Sequence, residues 1–191
     1  DTVGPPLLNT EVRIANDGEI MVRGELVMKG YWHNDDESAR VLQDGWLGTG
    51  DVGHLDDKNR IVITDRKKDL IVNDKGDNVS PQRVEGMLTL QPEILQAMVY
   101  GDRQPHLVAL LVPDPEEMKR FKDDPEGMQK ALSKAVDRVN ADLSVIEKVR
   151  RFILADEPFS VENEMLTPSM KIRRHVIGGA YGERLSALFK R

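Results

Sequence analysis

The chain has 191 residues, with 27 Lys and Arg against 33 Asp and Glu, for a formal net charge of −6. That length suits one domain, or one domain with a piece of another, and the acidic balance argues against a nucleic-acid partner. With no cysteine in the sequence, disulfides, thiolate metal sites and cysteine nucleophiles are excluded, and a reducing compartment is compatible.

Residues 11–15 (EVRIA) alternate apolar and polar as a half-buried strand does. Asn16-Asp17-Gly18 is a hairpin signal, and Glu19–Arg23 is the returning strand, with Ile20 and Val22 on one face. Leu26–Met28 reads as another short strand before Gly30-Tyr31-Trp32. Asp35–Gln43 reads as a short helix whose acidic start suits the positive end of the helix dipole. Val52–Leu55 and Arg60–Thr64 form a second hairpin over Asp56–Asn59. Residues 1–64 are therefore expected to be β-rich, without a long helix.

Beyond the charged bend Asp65-Arg66-Lys67-Lys68-Asp69 the pattern changes. Leu70–Val72 is a short strand, followed by a glycine loop over Asn73–Asn78. Ser80-Pro81 is an N-cap followed by proline at the first helical position, and Val84, Met87 and Leu88 share a face of the helix it opens. Ile94–Tyr100 and Leu107–Val112 are strands; the second is continuously apolar, which predicts a central position. Asp114-Pro115 and Asp124-Pro125 repeat the cap-plus-proline signal. The longer helix that follows places Met128, Leu132, Ala135, Val139, Leu143 and Ile146 on one stripe. Arg151–Leu154 is a third strand. The loop Glu157–Met170 leads to Lys171 and a last helix carrying Val176, Ile177, Tyr181, Leu185 and Leu188, which Gly178-Gly179 should weaken.

The fold class is α+β: a β-rich stretch over residues 1–65, then a lobe over residues 66–191 with a three-stranded sheet flanked by helices. No run approaches the roughly 18 apolar residues of a membrane span. The first residues lack the basic start and apolar run of a signal peptide, and the chain does not begin with Met, so it reads as a fragment or an engineered product. His33, His54, His106 and His175 lie far apart, and none has a partner at metal-ligand spacing; no metal ligand is assigned.

Four groups are able to carry chemistry. Asp51 ends a Thr-Gly-Asp turn in which Gly48 and Gly50 allow a sharp bend, so its carboxylate is expected at a loop tip. There it either accepts hydrogen bonds from a cis-diol such as a ribose or closes an Asx-turn. Arg66, Lys67 and Lys68 are a short basic cluster or a solvated strand end. The loop holding Gly76 either brings backbone close to a ligand or is only a turn. Lys171, in TPSMKIRR, either binds phosphate or belongs to a basic surface.

The order of the segments removes the ambiguity. GEIMVRGELVMKGYW, DGWLGTGDVGHLDDKNRIVITDRKKDLI, NDKGDNVSPQRVE and LTPSMKIRR together resemble the C-terminal part of the adenylate-forming (AMP-binding) superfamily, which includes acyl-CoA synthetases, adenylation domains of peptide synthetases and luciferases. The form LTP-x-x-K-x-RR is most similar to the long-chain fatty acyl-CoA synthetases. The resemblance covers essentially the whole chain.

It implies that residues 1–65 are the end of a large lobe and 66–191 the mobile C-terminal lobe of an ATP-dependent long-chain fatty acid–CoA ligase. Asp51 and Arg66 would bind the nucleotide ribose, Lys68 would be the hinge between two working poses, Lys171 would be the catalytic lysine of adenylation, and Gly76 would line the pantetheine tunnel. ATP, Mg2+ and coenzyme A would be bound mainly with the absent part of the large lobe, where the phosphate loop and fatty-acid pocket of the family lie. The fragment would be inactive alone. Its setting would be cytoplasmic, with peripheral membrane association through the absent lobe left open. A non-catalytic binding module and a fatty acyl-AMP ligase that loads a carrier protein remain alternatives. Three departures from the family pattern stand out: Gly48 where many relatives carry a basic or aromatic residue, Glu162-Asn163-Glu164 where Asn-Gly is usual, and Asn78 where some short-chain relatives use arginine.

Overall fold

The structure, a computed structural model, describes residues 2–190. It divides into two compact units, one up to Leu70 and one from Ile71 onward.

The first unit is an antiparallel sheet. Strands β1 (Thr10–Ile14) and β2 (Glu19–Gly24) form the expected hairpin, closed by Ala15 N–H to Glu19 O at 2.8 Å, with Gly18 at φ +84°. A short helix α1 (Asp35–Val41) is capped by the Asn34 side chain and begins with three acidic residues. It leads into β3 (Leu42–Gln43) and the long β4 (Trp46–Leu55), which pairs with both β2 and β5 (Ile61–Arg66). The order is β1-β2-β4-β3, with β5 on β4. Trp46 fixes the base of β4: it is 9% exposed, with the guanidinium carbons of Arg13 and Arg23 at 4.3 and 4.6 Å from its ring, a pair of cation–π contacts. Leu26–Met28 is not a strand. The hydrogen bond from Val27 N–H to Gly24 O closes a turn there instead, and Leu26 is exposed. The predicted helix over Asp35–Gln43 stops at Val41, because Leu42 and Gln43 pair with β4.

The second unit begins with the small hairpin β6 (Ile71–Val72) and β7 (Asn78–Val79). Helix α2 (Pro81–Thr89) follows, its Ser80 cap accepting from Arg83 N–H. Strands β8 (Ile94–Tyr100), β9 (Leu107–Pro113) and β10 (Val149–Leu154) form a sheet in the order β10-β9-β8, antiparallel between β8 and β9 and parallel between β9 and β10. Between β9 and β10 lie α3 (Pro115–Arg120) and α4 (Pro125–Asp142), each opened by an aspartate cap and a proline. Helix α5 (Arg174–Ala187) comes last.

The continuous apolar run of β9 has a simple cause: its sheet is covered on both faces. Ala97, Val99, Ala109 and Leu111 join Val84, Leu88, Leu132, Ala135 and Val139 in one core. Met98, Val108, Leu110 and Val112 join Phe159, Leu166, Ile177, Tyr181 and Leu185 in the other. Each buried Leu or Val in such a layer contributes about 1.5–3 kcal/mol, so this unit holds two cores of its own. The stripe of α4 runs as read from Met128 to Val139, but the helix ends at Asp142 and Ile146 lies beyond it, 38% exposed. Gly178 and Gly179 do not interrupt α5, which is anchored on both sides by Ile177, Tyr181 and Leu185.

Candidate functional site

In the first unit the site is built on a bulge. Two steps along β2, from Met21 to Glu19, face four along β4, from Gly48 to Val52. Thr49, Gly50 and Asp51 stand against the single residue Ile20, an excess of two, and such a bulge re-aims side chains next to functional sites. Thr49 Oγ donates to Ile20 O at 2.8 Å and accepts from Asp51 N–H at 3.1 Å, which pins the bulge. Asp51 is thus presented from within a strand, not from the loop tip that the Thr-Gly-Asp pattern predicts. Gly50 has the expected positive φ of +72°, whereas Gly48 does not need its flexibility.

Gly48 instead leaves room for the Glu19 side chain. A Cβ at this position would sit 2.9 Å from Oε1 of Glu19. That carboxylate accepts from Gly50 N–H at 2.9 Å, and its other oxygen lies 2.7 Å from Nζ of Lys67. Lys67 also pairs with Asp17 at 2.6 Å. Hydrogen bonds to Asp17 and Glu19 hold the Lys67 ammonium above its usual range, and the same lysine holds the Asp17 carboxyl below its own.

Asp51 and Arg66 face each other in the β4–β5 register, with Arg66 Nε 2.8 Å from Asp51 Oδ1. The Asp51 side chain is 23% exposed and that of Arg66 55%, so the pair is open to solvent. A half-open carboxylate accepts hydrogen bonds from hydroxyls, and the adjacent guanidinium donates to oxygen. Lys68 follows directly in a single 3-10 turn, Lys67–Asp69, with an exposed side chain.

The other two candidates lie in the second unit. Gly76, at φ +88°, turns the β6–β7 hairpin, where Asn73 Oδ1 accepts from the backbone of Lys75 and Asp77. A side chain would be strained there by the backbone alone, yet a Cβ would meet nothing within 4 Å. Lys171 stands exposed on a tight loop: Thr167 N–H donates to Lys171 O at 2.8 Å, and Lys171 N–H donates to Thr167 Oγ at 3.0 Å. The bridge between Leu166 and Ile172 closes the loop on the buried side. Glu162-Asn163-Glu164 forms a separate turn, in which Asn163 accepts from Ser160 and Met165 N–H and donates to Pro158 O.

Among the described residues no helix is long and apolar enough to cross a membrane, and no group of three or more His, Asp or Glu is placed to hold a metal ion.

Residues 68–191 match the family model of the AMP-binding enzyme C-terminal domain. The chain belongs to the AMP-binding enzymes. It is 35% identical to the long-chain-fatty-acid–CoA ligase FadD15 of Mycobacterium tuberculosis over 100% of its own length and 34% of that protein. It is 32% identical to the chloroplastic long-chain-fatty-acid–[acyl-carrier-protein] ligase AEE15 of Arabidopsis thaliana, over 98% of this chain and 29% of that one. Among solved structures, the A domain of the carboxylic acid reductase from Segniliparus rugosus, in complex with AMP and a co-purified carboxylic acid, superposes with a TM-score of 0.83 at 27% identity. That match covers 97% of this chain and 32% of that one. The chain therefore spans about a third of the length of these AMP-binding relatives.

Three charged residues, Glu19, Glu85 and Arg174, have no individual role in the sequence reading, and Lys67 figures there only within the basic cluster Arg66-Lys67-Lys68. Glu19 is legible only as a member of a longer motif. Glu85 is 6% exposed and carries a signal: Pro81, Val84 and Leu88 are the other buried residues of α2, and Glu85 lies four and three residues from the first and last of these. Its partner, Arg174, sits in the arginine pair after Lys171 and was read only as basic surface.

Proposed function

We propose that this chain is part of an ATP-dependent long-chain fatty acid–CoA ligase working through an acyl-adenylate. Residues 1–65 would close the large lobe and residues 66–191 would form its mobile C-terminal lobe. The observation that carries this reading is the open Asp51–Arg66 pair, with Asp51 on a strand bulge and Arg66 at the end of the facing strand, two residues before Lys68. Its donor and acceptor set fits a ribose diol, and an AMP-bound relative shares this fold.

A carboxylate oxygen of the fatty acid attacks the α-phosphorus of ATP; a P–O bond forms and pyrophosphate leaves. Asp51 accepts from the ribose hydroxyls and Arg66 donates to the ribose. Lys171 donates to the oxygens on which charge develops, and removing such a preorganised donor costs on the order of 100- to 1000-fold in kcat. The lobe then turns about Lys68, withdrawing Lys171 and bringing up the Gly76 loop. The thiol of coenzyme A attacks the acyl carbonyl, a C–S bond forms, the bond to AMP breaks and the thiol proton passes to solvent.

Gly76 stands at an exposed hairpin turn, where a ligand can approach the backbone. Mg2+ would neutralise phosphate charge, but the described residues offer no carboxylate cluster for it, and no step is assigned to it. The chemistry needs a compartment that supplies ATP and coenzyme A, and the cytoplasm is one.

The similarity to an acyl-carrier-protein ligase keeps a second acceptor in view. Product analysis decides: the full-length protein is given a long-chain fatty acid, Mg-ATP and either coenzyme A or holo-carrier protein. Acyl-CoA formed together with AMP and pyrophosphate is expected. Acyl-carrier product alone supports the second acceptor, and the absence of pyrophosphate release with either acceptor removes the ligase reading.

A further inference from the structure

We infer that Glu85 and Arg174 form a half-buried tether that positions Lys171 for adenylation, an inference that rests on the reading of Lys171 proposed above. Nζ of Lys171 is carried on a loop tied to Met165, Leu166 and Thr167 on one side, the last through both its backbone and its hydroxyl, and to the start of α5 on the other. Arg174, the first residue of that helix, is three positions beyond Lys171. Its guanidinium meets Glu85 with both ends: Nη1 to Oε1 at 2.7 Å and Nη2 to Oε2 at 2.6 Å. A planar, two-pronged contact of this kind fixes orientation as well as distance.

Glu85 does more than neutralise a charge. Its Oε1 also accepts from Val99 N–H at 2.8 Å, and Arg174 reaches Val99 O at 3.4 Å. One carboxylate thus ties α2, β8 and the beginning of α5. The α2 end of the tie begins with the Ser80 cap, immediately after the hairpin that carries Gly76. Between Lys171 and Arg174 the backbone is held at Ile172, by its bridge to Leu166, and at Arg173, whose N–H donates to Met165 O at 2.8 Å. The chain from the half-buried pair to the exposed lysine has little slack, so a shift of Arg174 is transmitted to the Lys171 loop. A merely structural role predicts no selectivity between half-reactions: loss of packing would weaken adenylation and thioester formation alike, in proportion to the fraction of protein unfolded.

The test uses the full-length protein with Arg174→Lys, Glu85→Gln and, in parallel, Lys171→Ala. Adenylation is read by ATP–pyrophosphate exchange and thioester formation from preformed acyl-AMP and coenzyme A. Arg174→Lys keeps the charge and loses the two-pronged contact. Misplacement of a group by about 1 Å is able to cost 100-fold, so kcat for exchange should fall roughly 10- to 100-fold, while KM for ATP and the thioester rate stay within about 3-fold. Glu85→Gln keeps the shape and the acceptor for Val99 N–H and should give the same split with a smaller fall. If both half-reactions fall together, in step with the melting temperature, or if exchange is unchanged in both variants while Lys171→Ala abolishes it, the tether is overturned and the reading of Lys171 survives. If Lys171→Ala itself leaves exchange intact, it is the reading of Lys171 that fails.

Discussion

Two of the molecule's carboxylate–guanidinium pairs share one chemistry and differ in setting. Asp51–Arg66 has side chains 23% and 55% exposed, with Nε of Arg66 2.8 Å from Oδ1 of Asp51; Glu85–Arg174 is 8% and 26% exposed and joins through two hydrogen bonds. An exposed pair contributes about 0–1 kcal/mol to stability because water competes for both groups. For the same reason its donors and acceptors stay available to a ligand. A buried pair adds little over an apolar replacement, yet breaking it leaves an uncompensated charge. One pair is therefore suited to binding and the other to holding geometry, and substitutions should separate these roles.

The largest effect expected on stability is from Glu85→Ala. It strands Arg174 and frees the Val99 N–H, and removing one partner of a buried pair costs about 3–5 kcal/mol; partial exposure of Arg174 places the effect toward the lower end. Chemical unfolding monitored by circular dichroism should show it as a loss in the second unit. Next comes Asp51→Asn, whose prediction is the reverse: unfolding should be almost unchanged. Loss of hydrogen bonds to a charged acceptor, worth about 1.5–3 kcal/mol, should instead raise KM for ATP roughly 10- to 100-fold. An Asp51→Asn variant that unfolds easily while binding ATP normally would invert the comparison.

Gly48→Ala is smaller. The new Cβ must displace the Glu19 carboxylate, which is held by Gly50 N–H and Lys67, and overpacking of this kind costs about 1–3 kcal/mol. Because Glu19 is a side chain able to move, the low end is expected, and Glu19→Ala in the same protein should relieve it.

The smallest effect is in the pH dependence of the second unit. Burial, then the charges of Arg150 and Arg151, depress the His106 pKa against a weaker opposing pull from Asp74. A base with a depressed folded pKa binds fewer protons folded than unfolded. The stability it confers is complete above the ordinary histidine value of about 6.5 and is lost as pH falls through the folded value. His106→Phe, which keeps the ring contact with Phe189 at 5.1 Å, should flatten that slope below about pH 6.5.

What could be read from the residues follows the range of the interactions involved. The capped helices were legible because Ser80-Pro81, Asp114-Pro115 and Asp124-Pro125 settle their starts locally. The central place of β9 was legible from its unbroken apolar run. The bulge under Asp51 was not: it depends on the register between β2 and β4, which no local pattern encodes. The same holds for Glu85–Arg174, whose partners are 89 residues apart, and for Lys67 with Glu19, 48 apart. The short segment Leu26–Met28 had strand composition, but it found no partner strand and closed as a turn after Gly24.

The central claim is that the lobe carrying Lys171 serves adenylation and then withdraws, and one pair of assays on the full-length Lys171→Ala protein tests it directly. ATP–pyrophosphate exchange with a long-chain fatty acid should fall on the order of 100- to 1000-fold, while preformed acyl-AMP should still be converted to acyl-CoA at close to the unaltered rate. Unimpaired exchange, or equal loss of both half-reactions, would contradict the account.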